Sequence, residues 1–140
     1  MLLRTGCFTV FGMTKALALI FYENLLTGNQ LLNRLADLDY RTLVASDLGR
    51  LADQAVQERP IVIIVELGAL GERVCGVIRG LRSTPDTQHI PIVGYASHKH
   101  PKEAAQATAQ AQAAGATLVV GEGALVAHLD QVLDQALRVD

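Results

Sequence analysis

Arg59-Pro60-Ile61-Val62-Ile63-Ile64-Val65-Glu66-Leu67 is the stretch on which the fold turns. Ile61 to Val65 is apolar on both faces of an extended strand, and such runs belong to parallel sheets covered by helices on either side. Pro60 cannot continue a helix, so it halts the one before it. A carboxylate, Glu66, closes the run at the carboxyl end of the strand, where open α/β sheets place their chemistry.

On either side the same alternation repeats. Ala16 to Phe21 reads as a buried first strand, and Asn24 to about Leu38 as a helix with Leu25, Leu32, Leu35 and Ala36 on one face. Thr42 to Ala45 is a second strand. Ser46-Asp47 caps a helix carrying Leu48, Leu51, Ala52 and Ala55 at i, i+3, i+4, i+7. After the third strand, Val74, Val77, Ile78 and Leu81 repeat that spacing, and Ser83-Thr84-Pro85-Asp86 is a turn. Pro91 opens a fourth strand, Ile92 to Tyr95, where a missing N–H is tolerated. Pro101 to Ala114 is helical by propensity and Gly115 stops it. Thr117 to Val120 is the fifth strand. One last helix is expected from Glu122 to Arg138, with Leu125, Leu129, Val132 and Ala136 inward. Five β-α units with right-handed crossovers predict one doubly wound parallel sheet with helices on both faces.

The bulk properties narrow the function classes. The 140 residues suit one domain, and half of them are hydrophobic with only 4% aromatic, so Leu, Val, Ile and Ala build the core. A formal charge of −2 predicts no bulk attraction to nucleic acid or to an anionic membrane. Cys7 and Cys75 have neither metal-ligand nor disulfide-framework spacing, which predicts a reducing, cytoplasmic setting. Residues 1–14 read as a flexible N-terminal extension, with Met13 an alternative start. Gly6 and Gly12 break the apolar run there and no small-x-small cleavage site follows.

Three stretches carry a family resemblance: the Arg59–Leu67 segment, His89-Ile90-Pro91-Ile92-Val93-Gly94-Tyr95-Ala96-Ser97, and Ala114-Gly115-Ala116-Thr117-Leu118-Val119-Val120. In order and spacing they resemble strands three, four and five of the receiver domain of response regulators, over residues 15–139. The resemblance implies a flavodoxin-like (CheY-like) five-stranded sheet of order 2-1-3-4-5. It also implies a phospho-accepting Asp ending strand three, an acidic pair after strand one that shares Mg²⁺ with it, a Thr or Ser ending strand four, and a Lys after strand five. This sequence departs at nearly every one of these positions. The acceptor is Glu66. The acidic pair is Tyr22-Glu23, or Glu23-Asn24 if the register slips by one. The hydroxyl position falls on Ala96, with Ser97 one residue on, and the lysine position falls on Gly121, followed by acidic Glu122.

The expectation is therefore a stand-alone pseudo-receiver, not an enzyme, that signals by protein–protein contact and is not phosphorylated. A conventional phosphorelay receiver using Glu66 is the alternative, as is a flavodoxin-like module that binds a metal or small molecule. Glu66 reads as a solvated carboxylate left at the acceptor position, with a built-in imitation of the phosphorylated state as its rival. Tyr95 reads as a core residue with its hydroxyl at the pocket rim, and Cys75 as packed. No cofactor is expected, Mg²⁺ included. A minority metal site would use Glu23, Glu66, His98 and His100. Expected partners are proteins, a kinase or regulator, together with a homodimer through the face of helix four, strand five and helix five. There Ala105, Ala109 and Ala113 give helix four a flat surface.

Overall fold

The computed structural model describes residues 16–45, 47–68, 71–96 and 101–138. The expected extension and Ser97, His98 and His100 lie outside the described residues. The elements are β1 (Leu17–Phe21), α1 (Leu25–Asp37), β2 (Arg41–Val44), a 3-10 turn (Leu48–Arg50) and α2 (Leu51–Glu58). They continue with β3 (Val62–Glu66), α3 (Gly71–Ser83), β4 (Ile92–Ala96), α4 (Pro101–Ala114), β5 (Leu118–Gly121), α5 (Glu122–Ala127) and α6 (Leu129–Arg138).

The five strands form one sheet of order β2-β1-β3-β4-β5, and every pairing is parallel. The three inner strands β1, β3 and β4 are buried along their whole length. That is the arrangement their unbroken apolar runs require, because helices cover both faces. Side chains alternate across the sheet. Leu19, Ile63, Val65 and Ile92 pack with Leu51, Val74, Ile78 and Leu81 on one face. Ala18, Ile20, Val62, Ile64, Val93 and Tyr95 pack with Leu31, Leu35, Leu125, Leu129 and Leu133 on the other. Each fully buried Leu or Ile contributes roughly 1.5–3 kcal/mol of transfer free energy. Cys75 is buried as expected.

Arg82, near the end of α3, fastens the far end of the sheet. Its Nε donates to Gly115 O at 2.8 Å, and its Nη1 to Gln88 O at 2.7 Å and Ile90 O at 2.8 Å. Nη2 reaches Thr117 Oγ1 at 3.0 Å, which in turn accepts from the Ile92 N–H. Gly115 ends α4 with φ +120°, and a Cβ there would stand 2.7 Å from Arg82 Cγ. Both the backbone angle and the close approach demand glycine.

β2 and β5 are each displaced by one residue from expectation, and α1 buries Thr27, Gly28, Leu31 and Leu35 while Leu25 and Ala36 of the expected face are exposed; two helices differ more. Asp47 caps a 3-10 turn, its carboxylate accepting from Arg50 N–H, before α2 begins at Leu51. The expected last helix is two: His128, at φ −127° and ψ 39°, leaves helical geometry between α5 and α6. Leu125, Leu129, Val132 and Ala136 are nonetheless all buried, so the inward face was read correctly. No Gly or Pro marks the break at His128.

Candidate functional site

The carboxyl ends of β1, β3, β4 and β5 meet where Glu66 ends β3. Register sets Glu66 beside Tyr95 on β4, and alternation turns both toward the face covered by α1 and α5. Glu66 is only 5% exposed. Its Oε1 accepts from the Glu23 N–H at 2.9 Å, the Asn24 N–H at 3.1 Å and the Tyr95 hydroxyl at 3.3 Å. The expectation of a solvated Glu66 is thus corrected. The carboxylate reaches the loop at the end of the adjacent β1, where two backbone donors meet it. Burial without such donors would cost several kcal/mol.

The loop itself is organised by Asn24, which caps α1 by accepting from Leu26 N–H at 3.0 Å and Thr27 N–H at 3.4 Å. Tyr22, at one expected acid position, turns its ring onto α1, where a Cβ at Gly28 would overlap it. Only Glu23 of that pair is acidic. A Cβ at Gly68 would lie 2.8 Å from Glu23 Oε1 and 3.1 Å from Glu66 Oε2, so the two carboxylates approach each other over that glycine.

Ala96 ends β4 buried and without a hydroxyl, paired in register with Gly121. After β5 the side chain that enters the neighbourhood is Glu122, whose Oε2 accepts from Thr27 Oγ1 at 2.7 Å. Thr27 is buried and was not singled out from the sequence. Its place in the first turn of α1 and the acid after β5 were both legible, but their meeting depends on how α1 packs on α5. Tyr95 is fully buried. Its phenol is pushed up by burial first, then by the charge of Glu66 and the hydrogen bond to it, and further by Glu122 and Tyr22.

Among the described residues no group of three His, Cys, Asp or Glu is placed to hold a metal ion. No described helix is long and apolar enough to cross a membrane.

The fold is that seen in response-regulator receiver domains, the CheY-like fold. The Vibrio cholerae chemotaxis protein CheY4 superposes with TM-score 0.74 at 18% identity, over 89% of this chain and 100% of that one. The BeF3-activated N-terminal receiver domain of Klebsiella pneumoniae RstA gives 0.72 at 18%, over 88% and 99%. The receiver domain of the Pseudomonas aeruginosa sensor histidine kinase PA1611, which has a magnesium ion coordinated in its active-site cleft, gives 0.73 at 16%, over 90% and 100%. At these identities the likeness is one of fold. No protein-family model matches the chain, and no curated protein matches it.

Proposed function

We propose that this chain is a pseudo-receiver: a module with the receiver fold that signals through protein–protein contact and does not pass a phosphoryl group through Glu66. The observation that carries this reading is the commitment of Glu66 Oε1 to two backbone N–H groups and the Tyr95 hydroxyl. The other oxygen, Oε2, faces Gly68 and the Glu23 carboxylate, and a carboxylate that attacks phosphorus needs cations to gather the phosphoryl charge. Here the surroundings are the acids Glu23 and Glu122, an alanine at the hydroxyl position, and no lysine at residues 121 or 122.

Mg²⁺ does not fit well in this reading. It demands near-octahedral oxygen geometry, and among the described residues no group of three acids or histidines is placed to supply it, Glu23 and Glu66 being the two carboxylates that approach each other. The chain acts, on this view, in the cytoplasm as a partner-binding protein rather than an enzyme. Incubation with a small phosphodonor and Mg²⁺, followed by intact-mass measurement, tests the reading. The expected spectrum is that of the unmodified chain. A single phosphoryl adduct that disappears in Glu66→Ala overturns it.

A further inference from the structure

We infer that Glu66 and Tyr95 form a clasp that holds the β1–α1 loop in one arrangement and, through Asn24, Thr27 and Glu122, couples the first turns of α1 and α5. The bonds run without a gap. Glu66 Oε1 takes the N–H groups of Glu23 and Asn24. Asn24 Oδ1 takes those of Leu26 and Thr27, and Thr27 Oγ1 donates to Glu122 Oε2. The same first turn of α1 carries Leu25 and Leu26, which are 71% and 70% exposed. Their backbone is therefore tied, through Asn24, to the buried acid that ends β3. The clasp rests on the pseudo-receiver reading in one respect, that Glu66 remains an unmodified carboxylate.

The three bonds to Oε1 are unequal. The two backbone donors lie at ordinary N–H···O distances, whereas 3.3 Å is long for a hydroxyl donor. The carboxylate is thus the holding group, and Tyr95 closes the buried side. Removing Glu66 leaves three donors without an acceptor, including a phenol that water does not reach. Removing only the Tyr95 hydroxyl costs one weak bond.

Amide hydrogen exchange by NMR on the full chain tests the clasp. In the wild type the Glu23 and Asn24 amides exchange slowly although both residues are exposed. Glu66→Ala accelerates them about tenfold or more, while strand amides such as those of Ile64 and Val93 are unchanged. Tyr95→Phe gives a smaller change at the same two amides. Glu66→Gln keeps a neutral acceptor of nearly the same shape and falls between wild type and alanine; it carries the test if alanine fails to fold. Coupling is read from Thr27→Val, which loosens the first turn of α5 in the wild type, adds less in Glu66→Gln and adds nothing further in Glu66→Ala. Unprotected Glu23 and Asn24 amides in the wild type overturn the clasp, as does acceleration spread evenly over the sheet. Purely additive effects of Thr27→Val overturn the coupling. If the untreated wild type protects those amides and the same protein then takes a phosphoryl adduct from a phosphodonor, the pseudo-receiver reading is overturned and the clasp of the unmodified chain stands.

Discussion

At the residue scale, one methylene changes what the acid of β3 can touch. An acid one carbon shorter would end nearer its own strand, whereas Glu66 spans to the backbone of residues 23 and 24. Tyr95 answers it from β4, and the pair makes a prediction about alkaline pH. The phenol of Tyr95 is raised above the usual value of 10.0, and burial raises Tyr40 as well. A raised folded value means the neutral form is favoured by folding. That stability is fully present below the unfolded tyrosine value of about 10 and is lost as pH climbs beyond it. Phenolate absorbance should show Tyr95 silent until the chain unfolds, and the urea midpoint should fall above about pH 10. In Tyr95→Phe that fall should be smaller. A phenolate signal from all three tyrosines in a still-folded chain would contradict this account of Tyr95.

At the scale of elements, Arg82 does for the amino ends of β4 and β5 what Glu66 does for the loop at the other end. Its guanidinium meets three carbonyls and one hydroxyl, and burial lowers its affinity for the proton somewhat. Arg82→Ala leaves those half-buried acceptors to water and should cost about 2–3 kcal/mol in urea unfolding, given the worth of bonds to a charged group. Arg82→Lys should recover less than half, because an ammonium cannot fork to four acceptors on two elements. Gly115→Ala should cost about 1–3 kcal/mol through its positive φ alone, with the crowding against Arg82 added. If Arg82→Lys unfolded with the wild-type midpoint, the guanidinium fork would have no special standing.

At the scale of the whole molecule, the sheet buries its inner strands and leaves β2 and β5 at the edges. Beside β5, α4 turns Ala111 and Ala114 inward and leaves Ala105, Ala109 and Ala113 exposed. Such small side chains permit close approach of a second copy. Sedimentation over a concentration series should show self-association that Ala109→Arg abolishes without moving the melting temperature. Glu66→Gln should leave association nearly unchanged, since the amide still accepts from the loop and a charge shifts an equilibrium only by its differential interaction with the two states. A monomer at every concentration would remove this face from consideration as a dimer contact.

The sequence by itself determined the sheet. Both-face apolar runs at Ile61–Val65 and Ile92–Tyr95, helical spacing between them and stops at Pro60 and Gly115 admit little besides an alternating parallel α/β order, because period and punctuation are local properties. It also placed Glu66, Glu23, Ala96, Gly121 and Tyr95 together, because strand ends are legible and all five stand at or just past them. Burial of Glu66, the turning of Tyr22 onto Gly28 and the bond from Thr27 to Glu122 were decided only by tertiary structure. Each depends on which side chains from distant segments share a face once β1 and β3 pair and α1 packs on α5. The break at His128 belongs with them, because no residue there forbids a helix, while Leu125 and Leu129 on either side of it are both buried in the core.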